Sequence, residues 1–301
     1  MNKLKRAGEW FEIKINESFA NNTVFHILSS KLGVSKATIQ KWNKEGSLRR
    51  NNTKADVNHQ LRDRDILSIH LFKEEEFGVI PEKHDFSILY EDDHLIIIDK
   101  PAGMDTHPNH SDQVGTLANA VAYYYQTMGI QTRVRHIHRL DKETSGAIIF
   151  AKNDLAHTLL DQALQLKKIK RTYLAFVGGN LQPQKGTINK PIGRDRHHPT
   201  RRRVSPQGQQ AITHYQVEHY DEKKDLSVVT LQLDTGRTHQ IRVHMSYLGH
   251  SILGDGLYGG SIKLITRQAL HSKMVSFTHP ITLETINCEA ELPKDMSAIL
   301  R

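Results

Sequence analysis

AIIFAKNDLAHTLLDQALQLKKIKRTYLAFV (residues 147–177) opens on one apolar run and closes on another. AIIFA (147–151) and TYLAFV (172–177) are short and rich in β-branched and aromatic residues, and both read as strands. Between them Leu155, Leu159, Ala163 and Leu166 recur at helical spacing behind the cap candidates Asn153 and Asp154. A helix with one apolar face is therefore expected over 154–168. Strand, helix, strand could begin an alternating parallel sheet, but the rest of the chain does not keep up the alternation. HLIIID (94–99), AITHYQV (211–217) and SVVTLQL (227–233) are further strands without a regular helix between each. Such a mixture favours α+β over a doubly wound fold.

Immediately upstream stands HRLDKETSG, His138 to Gly146. Asp, Thr, Ser and Gly in a row are favoured turn chemistry, so Asp141 could simply bond backbone amides. Its setting offers a second reading, because a loop held against a buried strand is where catalytic groups are often placed. At the far end of the same stretch, Lys168, Lys170 and Arg171 run into a strand carrying Tyr173. That tyrosine could be a cross-strand core residue, or an aromatic face on which a base stacks.

Further on lies TGRTHQIRVH, Thr235 to His244. Thr238 is a candidate N-cap for a helix through Leu248 closed by Gly249, with Ile241, Met245 and Leu248 on its buried face. Arg237 precedes the cap. Arg242 lies beside the apolar face and needs a partner if buried, for which Asp141 is a candidate. His239 and His244 suggest metal binding, but five residues apart they fall on different helix faces, unlike an i,i+4 pair. GRDRHHPTRRRVSP (193–206) is a basic loop bounded by Gly and Pro. It reads either as a solvated, mobile surface or, through Arg201, Arg202 and Arg203, as a phosphate-contacting arm. No phosphate loop, dinucleotide fingerprint or GxSxG elbow is present, and LGDGLYGG (253–260) is too irregular for a dinucleotide motif. The chemistry is expected to need neither cofactor nor metal.

Composition shifts at Glu74-Glu75-Glu76, which suggests a small domain at 1–75, a linker at 76–87 and a larger domain at 88–301. In the first, TVFHILSSKLG reads as a short helix with Val24, Ile27 and Leu28 on one face and Gly33 as its stop. Ser35 can cap a second helix, which ends at Gly46 and presents Lys36, Lys41 and Lys44 where they could meet phosphates; DILSIHLF follows as a strand. An ordinary solvated surface is the alternative.

The 301 residues suffice for this division and for a buried core. Lys and Arg number 41 against 33 Asp and Glu, a net +8 that points to a polyanion, nucleic acid before a membrane surface. A single cysteine, Cys288, excludes a disulfide framework and multi-cysteine metal sites, and reads as a small apolar residue in a late strand. The beginning, MNKLKRAGEWFEIKINE, has no apolar run suited to a signal peptide, and no segment nears the ~18 apolar residues of a membrane span. A soluble cytoplasmic protein is expected, with no membrane partner and monomeric.

In order, DKPAGMDTHP (99–108), GTLANAV (115–121), HRLDKETSG, KRTYLAFVGG and LDTGRTHQIRVHMSYLGH with LGDGLYGG resemble the RluA-type pseudouridine synthases of RNA, over roughly 88–290. The resemblance implies a mixed, mostly antiparallel sheet in the catalytic domain. It also implies detachment of uracil from ribose at nitrogen 1 and its return through carbon 5, without cofactor or metal. It makes Asp141 the essential catalytic residue, Tyr173 the aromatic packed on the target base and Arg242 the partner of the aspartate. Arg139 resembles the residue that takes the flipped nucleotide's place in the stack. These roles suit base extrusion, aromatic stacking and a paired carboxylate. His138, Lys170, Arg171, Arg201 to Arg203, Arg237, Lys36 and Lys41 are the expected RNA contacts. The N-terminal region resembles the small RNA-binding domain of a ribosomal small-subunit protein. It departs at Arg49-Arg50-Asn51-Asn52 and Arg64-Asp65, where that module usually has a valine-asparagine-glycine turn and a glycine-aspartate. The expectation is an RNA pseudouridine synthase acting on ribosomal RNA, with transfer RNA as the other substrate class. The rival is an inactive RNA-binding protein in ribosome assembly.

Overall fold

The computed structural model describes residues 4–301. The five strands read from sequence in the larger domain form, at Leu95–Lys100, Ser145–Ala151, Lys170–Gly178, Ile212–Asp221 and Leu226–Leu233, and DILSIHLF of the first region forms one at Ile66–His70. The first five lie in one ten-stranded sheet together with Leu270–Thr278, which stands between Ser145–Ala151 and Lys170–Gly178. That inserted strand runs antiparallel to Lys170–Gly178 and parallel to Ser145–Ala151, the one parallel pairing in the sheet. The two apolar runs of the opening stretch are thus neither neighbours nor parallel, and the fold is α+β with a mostly antiparallel sheet.

The helix between them covers Asp154–Gln165, shorter than the expected 154–168 because Lys167 turns left-handed at φ 58°. Asn153 caps it, its side chain accepting from the Ala156 amide at 2.9 Å. Leu155, Ala156 and Leu160 are buried on its inner face. Truncating Leu155, which is 0% exposed, to Ala would cost ~2–5 kcal/mol.

Leu270–Thr278 reads poorly as a strand because two fully buried positions, His271 and Ser272, are polar. Their partners explain how they are tolerated. His271 Nδ1 lies 2.9 Å from Ser145 Oγ and its Nε2 3.2 Å from the Ala290 carbonyl, while Ser272 Oγ donates to the Ala147 carbonyl at 2.9 Å. Cys288 does sit in a late strand, Thr285–Glu289, buried.

A five-stranded sheet covers the first part of the chain, and Ser35 caps the helix Lys36–Lys44 by accepting from the Thr38 amide. TVFHILSSKLG departs from expectation: only Val24–His26 is α-helical, and Ile27–Lys31 widens into a π-turn before Gly33 at φ 69°. Its core, around Phe11, Ile13, Ile39 and Trp42, continues into Leu155 and Ile281 of the larger part. Ion pairs seal this junction. Arg135 Nη2 holds Glu75 at 2.7 Å and Asp154 Oδ1 at 2.8 Å, and Lys41 Nζ takes Asp154 Oδ2 at 2.9 Å.

Candidate active site

A loop fixed from three sides carries Asp141. Thr106 Oγ1 donates to the Leu140 carbonyl at 2.9 Å and accepts the Leu140 amide at 3.0 Å. Lys100, 0% exposed, directs its ammonium at three carbonyls, of Pro101, Met104 and Lys142, at 2.9, 2.6 and 3.0 Å. Burial pushes the Lys100 pKa down to about 8, against the pull of Glu143, Asp105 and Asp141. The turn reading of HRLDKETSG holds as scaffold: the Thr144 amide donates to the Asp141 carbonyl at 3.0 Å, and Gln268 Nε2 donates to Thr144 Oγ1 at 2.7 Å. Gly146, at φ 109°, is required because a Cβ there would overlap the Ser272 backbone.

Arg242 reaches the loop from the helix Gln240–Tyr247. The expected cap at Thr238 is corrected by the structure. His239 occupies the N-cap at φ 58° with no side-chain cap bond. Gln240 ties the helix start instead, its Oε1 accepting from Thr235 Oγ1 and the Arg237 amide, its Nε2 donating to Ile212 O and Thr213 Oγ1. Gly249 closes the C-terminal end at φ 83°.

Arg242 Nε and Nη2 grip Asp255 at 2.7 and 2.9 Å, and Nη1 donates to Asp141 Oδ2 at 3.1 Å. Burial opposes the Arg242 charge, but Asp255 and Asp141 outweigh it and raise its pKa. Its guanidinium also lies 5.0 Å from the Tyr258 ring centroid. Tyr258 OH accepts the Arg202 amide at 2.9 Å and lies 2.9 Å from His239 Nδ1. The other ring nitrogen, His239 Nε2, stands 3.9 Å from Asp141 Oδ2. Burial lowers the His239 pKa, with Asp141 opposing.

Asp141, His239 and Arg242 line a cleft of about 710 Å³ together with Tyr173, which is 4% exposed and whose hydroxyl pKa burial raises. Of the residues singled out in the sequence, the cleft brings together Asp141, Tyr173, Arg242, Arg139, His138, Arg171 and Arg237. The others lie elsewhere. Lys170 is exposed outside the lining, and Lys36 is exposed on its helix. Lys41 is engaged by Asp154 at the junction. The basic loop is built on a ribbon: Ile192–Arg194 and Arg202–Val204 pair, and Arg201 Nε donates to Asp195 at 2.7 Å, leaving Arg203 exposed.

The sequence reading missed Asp255, Lys100 and Thr106, and considered His239 only as a metal ligand. A lone acid in LGDGLYGG carries no local signal of the arginine it meets. His244 turns to Thr213 Oγ1 at 2.8 Å and the Lys190 carbonyl at 3.0 Å, away from His239's partners. Among the described residues no three His, Cys, Asp or Glu side chains are grouped to hold a metal, and no helix is long and apolar enough to cross a membrane.

Residues 94–247 match the RNA pseudouridylate synthase family. The chain is 51% identical over 298 residues to the RNA pseudouridine synthase YhcT of Bacillus subtilis, covering 99% of each. It is 40% identical to ribosomal large subunit pseudouridine synthase D of Haemophilus ducreyi, over 75% of this chain and 73% of that one. Among solved structures, human RNA pseudouridylate synthase domain containing 1 superposes with a TM-score of 0.56 at 28% identity, over 69% of this chain and 84% of that one. Human RNA pseudouridylate synthase domain containing 4 reaches 0.58 at 24% identity, over 71% and 91%, and shares the fold.

Proposed function

Because the chain belongs to the RluA-type RNA pseudouridine synthases and isomerises uridine in RNA to pseudouridine, we propose that Asp141 carries out the chemistry, with Tyr173 and Arg242 beside it. The observation that carries this reading is the guanidinium of Arg242 held between Asp255 and Asp141 at the wall of the cleft. It aims one carboxylate oxygen of Asp141 while the side chain keeps 21% exposure to the cleft. Breaking the bond between C1′ and nitrogen 1 leaves the electron pair on uracil, which then turns and bonds C1′ through carbon 5; carbon 5 loses its proton and nitrogen 1 takes one up. Asp141 serves this either by attacking C1′, to be displaced when carbon 5 bonds there, or by removing a ribose proton that is afterwards returned, and both routes start from the carboxylate. Tyr173 offers the extruded uracil a stacking face, and Arg139, exposed on the same loop, fills the gap left in the RNA.

The substrate we propose is large-subunit ribosomal RNA, on the strength of relatives named for it in Haemophilus ducreyi and Vibrio cholerae, with transfer RNA as the other class. Residues 1–75 serve as an added RNA-binding module in this reading, and the protein works as a cytoplasmic monomer. Mapping pseudouridine in cells with and without the protein tests the substrate. Sites should vanish from large-subunit ribosomal RNA, and losses confined to transfer RNA would reassign it. The Asp141→Asn variant should keep the fold and RNA binding while activity drops at least ~10³-fold. Activity near that of the parent would remove Asp141 from its role.

A further inference from the structure

Arg171 is buried to 6% exposure in the cleft wall, yet its Nε has no partner and no acidic side chain forms an ion pair with it among the described residues. Beside it His138, also 6% exposed, leaves both ring nitrogens without a partner. Burial and the Arg171 charge hold the His138 pKa well below its ordinary value, so the ring is neutral with one N–H to donate. Nearby charged groups differ: Lys167 is held by Asp234 at 3.0 Å, Arg237 Nε donates to the Gln210 carbonyl at 3.1 Å, Asp161 accepts from Gln165 at 2.7 Å, and Arg139 is exposed. Gly236 keeps the approach open, since a Cβ there would come within 3.2 Å of Arg171 Nη1. A buried guanidinium without a counter-charge is costly unless an anion completes it.

We infer that Arg171 and His138 form a seat for one phosphodiester of the bound RNA, next to the uridine being isomerised. This rests on the reading of the cleft as the uridine site. Arg171 and Tyr173 both face the cleft two residues apart on one strand, roughly 7 Å along it, so base and phosphate of a single nucleotide fit one strand face. A forked guanidinium suits two phosphate oxygens, and the imidazole N–H supplies a further donor. Such a contact sets register without reading sequence.

Equilibrium binding of uridine and of uridine 3′,5′-bisphosphate to the full chain tests the seat. The parent should prefer the bisphosphate by ~10-fold or more at low salt, and the preference should shrink as salt rises. Arg171→Met should abolish it, leave uridine binding unchanged and melt no lower than the parent, because an unneutralised buried charge has been removed. His138→Phe should reduce the preference by a smaller factor. Equal binding of the two ligands by the parent, a full preference in Arg171→Met, or a marked fall in its melting temperature would each overturn the proposal. Pseudouridine formation in RNA is assayed separately, and its absence in the parent would count against the function and not against the seat.

Discussion

Arg135 at the junction and Arg242 in the cleft are both buried and each holds two carboxylates, but the networks end differently. At the junction both oxygens of Asp154 are taken, one by Arg135 and one by Lys41. In the cleft Asp255 gives both oxygens to Arg242, whereas Arg242 and His239 approach only Oδ2 of Asp141. A closed network holds two parts of the chain together. An open one holds a carboxylate in place and, in the function proposed above, leaves it an oxygen for substrate. The same residue types serve structure or chemistry according to whether every acceptor is filled.

Removing Asp255 should break the contrast most strongly. Asp255→Asn loosens Arg242, and kcat should fall ~10²-fold with RNA affinity little changed, since a small misplacement of a reacting group is that expensive. A loss confined to KM would show that Asp255 positions RNA rather than Asp141. Next, Arg135→Met should lower stability by about 2 kcal/mol in denaturant titration, below the full penalty for a buried pair because Glu75 and Asp154 are each 22% exposed. Its kcat on RNA should stay near the parent's, and a fall comparable to that of Asp255→Asn would erase the distinction between closed and open networks.

Lys100 sharpens the comparison from a third side, as a buried cation held by carbonyls and not by hydrogen-bonded carboxylates. Its pKa stands at about 8 in the fold against an ordinary 10.5, so between those values the unfolded chain binds more protons. Stability must then rise with pH across that window, and the cost of burying the charge is fully present below it. Relative to Lys100→Met, the parent should gain about 1 kcal/mol from pH 7 to pH 9. A difference that is flat or falls with pH would mean that the ammonium is as well satisfied as in water.

Legibility in the sequence followed locality. The helix Asp154–Gln165 and the five apolar strands could be read because their periodicity and caps lie within a few residues. Leu270–Thr278 could not, although it joins the two halves of the sheet, because His271 and Ser272 mimic a surface strand until Ser145, Ala147 and Ala290 satisfy them. The Thr238 cap failed for a related reason: Thr235, Gln240 and strand Ile212–Asp221 close the helix start through contacts across the fold. Asp141, Tyr173 and Arg242 were visible as a family pattern, and Asp255 was not.

Residue order was enough to settle an α+β chain with a basic surface, a loop presenting Asp141, and the uridine chemistry that its motifs share with a family. Local steric preference and hydrophobic period carry that much without knowledge of the whole. Which charges are neutralised inside the protein and which still face outward was decided only on folding. Arg242 meets Asp141 across 101 residues of chain, while Arg171, buried in the same cleft, meets no carboxylate among the described residues. Coulombic pairing depends on distance in space, and only packing of the sheet, the helix and the loop fixes that distance.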